Sequence, residues 1–178
     1  MKRNTYIAIA LLVSCFSIQG QEKIKWKHGH KLHWESFRGV PDTTTVYAAI
    51  TSSGIWFSYQ LEVKNDVPHL VTEVESYFYP DESWYVPDRV NDYILQHERT
   101  HFDITEIYAR RLRKALSELS LKGDIQRKIS KIYSQIQTEH NRTQEKFDKE
   151  TNHSIEADKE AEWELWVKHR LEELKAWH

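Results

Sequence analysis

The sequence predicts an α+β protein, a small N-terminal antiparallel β-sheet packed on a long helical hairpin with a further helix at the C-terminus. Three observations carry this. Residues 55–63 alternate, with Ile55, Phe57, Tyr59, Leu61 and Val63 on one face. Residues 90–119 place apolar or histidine side chains at three-four spacing. Only 5 glycines and 4 prolines occur in 178 residues, which argues against a loop-rich all-β chain. The length suits one domain with its own core, with the β part over residues 21–85 and the helical part over 86–178.

The chain begins with Lys2 and Arg3, followed by the short apolar run Tyr6 to Val13. That run is too short to span a bilayer and reads as a signal peptide over residues 1–20. Cleavage before Gln21 leaves a soluble chain. The alternative is Leu12-Val13-Ser14-Cys15, which has the form of a bacterial lipobox and makes Cys15 a lipid anchor; membrane attachment is expected only by that route. Either way the protein is expected to be secreted or periplasmic, in a bacterial envelope. Cys15 is the sole cysteine, so the fold must stand without a disulfide.

In order after the leader, Ile24-Lys25-Trp26 and Lys31-Leu32-His33-Trp34 read as short strands or strand ends, with Trp26, Leu32 and Trp34 inward. His28, His30 and His33 cluster here, and a solvated basic loop explains them better than a metal site. Phe37 to Asp42 is a loop by its glycine and proline. Val46 to Val63 is rich in β-branched and aromatic residues, interrupted by Ser52-Ser53-Gly54. Lys64 to Pro68 is a hairpin connection. His69 to Tyr79 returns antiparallel, with Leu70, Thr72, Val74, Ser76 and Phe78 on one face. Pro80 to Ser83 turns the chain, and Trp84-Tyr85 pack as it enters a helix.

Pro87-Asp88 suits the start of that helix. Its inward stripe runs Val90, Ile94, His97, His101, Ile104, Tyr108, Leu112, Leu116, Leu119. Gly123-Asp124 reads as a C-cap followed by an N-cap. The second helix has Ile125, Ile129, Ile132, Ile136, His140, Thr143 and Phe147 on one stripe. A connection this short makes the two helices antiparallel. Folding about Lys122 sets position 97 opposite about 147 and position 101 opposite about 143. Ser154 is the expected cap of a third helix, whose Trp163, Trp166, Arg170, Leu174 and Trp177 read as a packing stripe.

Chemistry is concentrated in Leu95-Gln96-His97-Glu98-Arg99-Thr100-His101, which contains H-E-x-x-H. Two histidines four apart stand one above the other on a helix, so both rings can address one point. Imidazole is a good zinc ligand, and Glu98 lies where it could take a proton from an attacking water. A third protein ligand is needed. His153, just past the second helix, and His140, on its inward stripe, are both open, with Glu139, Asp148 and Glu150 as carboxylate alternatives. Glu106 and Asp103 lie on the first helix, and Asp103 points away from the ligands, where it could act only from behind them. Tyr133 and His140 are candidates to stabilise an oxyanion.

The runs Leu32-His33-Trp34-Glu35-Ser36-Phe37-Arg38-Gly39-Val40-Pro41 and Tyr47 to Ile55 resemble a family of exported bacterial proteins known as domain of unknown function 922. The likeness continues through Ser83-Trp84, His97 to Glu106, Ala109-Arg110-Arg111-Leu112, Phe147 to His153 and Trp163. The resemblance implies a zincin-like metallopeptidase site with His97 and His101 as ligands and Glu98 as base, and it favours His153 as third ligand. The family pattern has a glycine after that histidine; here it is Ser154.

The expected function is an exported zinc-dependent hydrolase, most simply a metallopeptidase acting on a peptide or protein substrate. The alternative is a non-catalytic envelope protein whose zinc is structural and closed by four protein ligands, with His140 and His153 completing the set. The net charge is -2 and no basic patch is present, so nucleic acid is not an expected partner. The sequence sets no oligomeric state.

Overall fold

One helix, α1 (Asp92–Ser117), is the axis on which everything else is packed. The structure is a computed structural model and describes residues 22–29, 31–65 and 67–178. The expected leader with Cys15, and also His30 and Asp66, lie outside those residues. Among the described residues no helix is long and apolar enough to cross a membrane.

The sheet layer has β1 (Ile24–Lys25), β3 (Ser53–Lys64) and β4 (Val67–Phe78) in the order β1-β4-β3, all antiparallel. Ile55 lies opposite Ser76 and Phe57 opposite Val74, so the alternation read from the sequence sets one face against α1. A second, two-stranded sheet pairs β2 (Ala49–Ile50) with β5 (Trp84–Tyr85). The sequence shows no sign of this pair, because each strand is only two residues long. Ser83 locks it in place. Its hydroxyl accepts from the Ser52 amide at 2.9 Å and donates to the Tyr79 carbonyl at 2.8 Å. The Gly39 amide donates to the Ser83 carbonyl at 2.8 Å, and a Cβ at Gly39 would lie 2.9 Å from that same oxygen. Glycine is therefore required there for close backbone approach.

Helices α2 (Ile125–Thr151) and α3 (Ala157–Glu173) cover the rest of α1. A larger core joins Ile55 and Val74 of the sheet to Ile104, Ile107 and Leu112 of α1, Ile129 and Phe147 of α2, and Trp163 of α3. A smaller one gathers Trp26, Leu32, Phe37, Phe78, Leu95 and Phe102. The chain is thus α+β, as expected.

Several boundaries differ from the sequence reading. Pro87–Arg89 forms a separate 3-10 turn, and Asn91 caps α1 by accepting from the Ile94 amide at 3.0 Å. Trp34–Ser36 is a 3-10 turn where a strand end was expected, although Trp26 and Leu32 are buried. Asp124 caps α2 as expected, accepting from the Arg127 amide at 3.0 Å. Ser154 does not cap α3; Glu156 holds that position, and Asn152, His153 and Ser154 have φ of 49°, 52° and 69°.

The largest departure concerns α1 itself. A single inward stripe was expected, yet every residue from Ile104 to Arg110 is buried. Glu106 and Arg110 are tolerated there because they bond each other at 2.8 Å. Ser76 Oγ also donates to Glu106, and Arg113 reaches it at 3.0 Å. Arg110 spends a further donor on the Leu171 carbonyl at 2.6 Å. Removing one partner of such a network strands the other charge away from water. Glu106→Ala is therefore expected to lower unfolding stability by about 3 kcal/mol or more, read from the urea midpoint at constant m-value.

Candidate metal centre

His97, Glu98 and His101 occupy the second and third turns of α1, where that helix faces the C-terminal end of α2. His97 and Glu98 are each 4% exposed. Phe147 of α2 packs on the two imidazoles, stacked on His97 at 4.4 Å between centroids and edge-on to His101 at 4.9 Å. It holds both rings from one side.

Hydrogen bonds at Nδ1 decide what the rings present on the other side. His97 Nδ1 donates to Glu160 Oε1 at 2.6 Å, from α3. His101 Nδ1 donates to Gln144 Oε1 at 2.7 Å, from α2. The Gln144 amide is itself oriented, because its Nε2 donates to the His101 carbonyl at 2.9 Å and to Thr105 Oγ1 at 3.2 Å. With both Nδ1 atoms committed as donors, both Nε2 atoms are left for a metal ion or a proton.

Those nitrogens meet a carboxylate. The two Nε2 atoms are 3.2 Å apart, and Asp148 Oδ1 lies 3.2 Å from the first and 3.0 Å from the second. Three electron-rich atoms this close repel unless a cation sits among them. His97, His101 and Asp148 form a group that could hold a metal ion. A proton can take the same place. Burial alone would lower the basicity of His97, but Asp148 and Glu160 outweigh it and hold the pKa at about 9. Burial would raise Asp148, and His101 and His97 together draw it below the usual carboxylate range.

Glu98 is turned differently. Its backbone carbonyl accepts from Thr51 Oγ1 at 3.2 Å, which ties α1 to the chain just after β2. Its side-chain Oε2 is buried without a hydrogen-bond partner among the described residues. That oxygen is open to a water, an ion or a ligand. Glu98 also lines the same cleft as His97, His101 and Asp148.

His153, expected as third ligand, stands outside the convergent group. Its Nδ1 is 3.5 Å from Asp148 Oδ1, its side chain is 48% exposed, and its ring lies edge-on to Tyr47 at 5.0 Å. The left-handed turn just past α2 carries it to the rim of the cleft, and Asp148 takes the inner position from the last turn of α2. His140, the other candidate, is a core histidine between Thr105 Oγ1 and Gln144 Nε2, each at 3.0 Å. Glu139 pairs with Arg111, and Glu150 accepts from Trp163 Nε1 at 3.0 Å. Asp103 accepts from Trp26 Nε1 at 2.7 Å, and burial raises its pKa to about 6. Tyr133 stacks on Phe57 at 5.7 Å and does not line the cleft. Sequence reasoning missed Glu160 and Gln144 altogether. Gln144 sits next to position 143, already placed opposite His101, and that adjacency was the available signal.

The fold and site define an α+β chain with an H-E-x-x-H helix whose two histidines share an aspartate from the antiparallel neighbour. The family model described as "Bacterial protein of unknown function (DUF922)" matches residues 38–154, and the chain belongs to that family. No curated protein and no solved structure matches it.

Two outcomes test this account. Glu160→Gln keeps the fold but weakens the grip on His97, so affinity for a divalent ion such as zinc should fall about 10–100-fold in competition titrations. Burial lowers the His140 pKa to about 4, from an ordinary value of 6.5. The unfolded chain therefore takes up a proton over that interval and the folded chain does not. Stability present above pH 6.5 should be lost as pH falls towards 4, on the order of 3 kcal/mol, and His140→Asn should lose less over the same range in pH-dependent urea unfolding.

Proposed function

We propose that the protein is an exported zinc-dependent hydrolase, a metallopeptidase in which His97, His101 and Asp148 hold the ion and Glu98 is the general base. The observation that carries this is the spacing of the three ligand atoms. A tetrahedron with zinc bonds of about 2.0 Å has edges of about 3.3 Å. The observed separations of 3.0, 3.2 and 3.2 Å are close to that. A calcium site, with bonds of about 2.4 Å and more oxygen ligands, would need a wider and harder set.

Zinc at this position supplies a Lewis acid that makes water nucleophilic near neutral pH and polarises a carbonyl. The remaining work falls to the chain. Glu98, with Oε2 unbonded beside the ligands, accepts the proton of the attacking water and returns it to the leaving amine. Phe147 keeps both rings in place, and Glu160 and Gln144 fix their tautomers.

The peptide assignment rests on β2. The Val86 amide donates to the Ala48 carbonyl at 2.8 Å, and Ala49 lies opposite Tyr85. In an antiparallel ladder the polar groups of alternate residues point opposite ways, so those of Tyr47 and Ala49 face away from β5. That edge has no strand on it among the described residues, and Tyr47 to Ile50 line the cleft. An extended peptide can add there as a further strand. Against a closed structural site, His140 is bonded elsewhere and His153 stands apart, so three protein ligands leave a position for water.

Metal analysis and peptide turnover by the mature protein and its variants test the reading together. His97→Ala and Asp148→Ala should lose zinc, His153→Ala should retain it, and Glu98→Gln should retain zinc while kcat falls at least 100-fold. Zinc lost in His153→Ala but kept in Asp148→Ala would return the third ligand to His153. Full turnover by Glu98→Gln would remove the base.

A further inference from the structure

The cleft over the proposed ion has a volume of about 600 Å³, within the range that suits a few residues of a bound chain. Among the described residues its lining contains no lysine and no arginine, and its only acidic side chains are Glu98 and Asp148. Both of those are committed to the chemistry described above. A protease that removes residues from a chain end must pair the terminal carboxylate or ammonium it buries, because an unpaired buried charge is costly. Apart from His97 and His101, the one lining side chain among the described residues that can carry positive charge is His153, and it already faces Asp148 Oδ1 at 3.5 Å.

The rim points the same way. Val46 is 84% exposed, Tyr47 37%, Tyr93 40% and Ile155 69%. These four come from three separate parts of the fold: the approach to β2, the first turn of α1, and the turn between α2 and α3. Large apolar side chains left in water around one cleft mark a surface that gains by being covered. The unpaired edge of β2 binds main chain along its length and has no use for a free end.

We propose that the site is selective for internal, uncharged stretches of extended polypeptide and seats a large apolar side chain against Tyr47 and Ile155. It is thus an endopeptidase site for apolar segments. This rests on the metallopeptidase reading for its chemistry, but the selectivity belongs to the cleft and is measurable without turnover.

The test uses the zinc-loaded Glu98→Gln protein and fluorescent decapeptides with acetylated and amidated ends, read by polarisation. Peptides with Phe or Leu at the centre should bind at least tenfold tighter than those with Gly, Glu or Lys there. Freeing either terminus should bring no gain. In the same background Tyr47→Ala and, separately, Ile155→Glu should erase the preference while zinc content stays unchanged; both side chains are exposed enough for the fold to survive. Binding that needs a free terminus, that favours charged centres, that is absent for every peptide, or that ignores both rim substitutions would overturn the proposal. If the blocked Phe peptide binds selectively and the wild-type enzyme leaves it uncut, the hydrolase reading fails while the selectivity stands.

Discussion

The positive charge that two imidazole nitrogens and one carboxylate oxygen must share is the constraint from which the rest of this structure follows. Two imidazole nitrogens and a carboxylate oxygen at mutual distances near 3 Å cannot coexist without positive charge between them. The protein does not relieve this by rotating a ring. It does the opposite, and commits both Nδ1 atoms to acceptors on two different helices so that both Nε2 atoms stay inward. His97, His101 and Asp148 are thereby left as a group that could hold a metal ion.

Every residue of α1 from Ile104 to Arg110 is buried. Helix α1 presents His97 and His101, and two neighbouring helices meet them with carboxylates, Asp148 and Glu160. Helix α2 supplies Asp148, Gln144 and Phe147 within five residues, all on the turns that pass His97 and His101. Helix α3 supplies Glu160, which is 3% exposed and would be a poor choice for that position without His97 to bond. The sheet closes the remaining side of α1, and β2 lies across the cleft, tied by Thr51 to the carbonyl of Glu98.

Much of this was legible in the residues. The period of two over Ile55 to Val63 set the sheet face, and the three-four spacing from His97 to Leu116 gave the helix. Folding the hairpin about Lys122 placed His97 opposite position 147, and Phe147 does stack there. Asp148 and Gln144 each lie one residue from the two positions so placed, although Gln144 was not among the candidates. Asp148 stood only as a carboxylate alternative behind the histidines, since an aspartate on a helix among Lys146, Lys149 and Glu150 usually faces water. A family resemblance also drew attention five residues on, to His153. Glu160 was hidden for another reason. Nothing local to α3 says which of its acidic residues turns inward; that depends on the angle at which the chain leaves α2, which is a tertiary matter.

That angle is set by Asn152, His153 and Ser154, three successive residues in left-handed backbone. Asparagine tolerates this conformation; histidine and serine pay for it. The turn is held by its own bonds. The His153 amide reaches the Asp148 carbonyl at 3.0 Å, and the Ile155 and Glu156 amides both reach the Thr151 carbonyl at 2.9 Å. Thr151, fully buried, anchors them through its hydroxyl to the Phe147 carbonyl at 2.8 Å. A more relaxed turn would let α3 leave in another direction, and Glu160 would no longer arrive under His97. The strain sits in the three residues just past α2, and the last turn of α2 stays helical and carries Asp148. The ring of His153 is thereby delivered to the rim against Tyr47, 3.5 Å from Asp148 Oδ1.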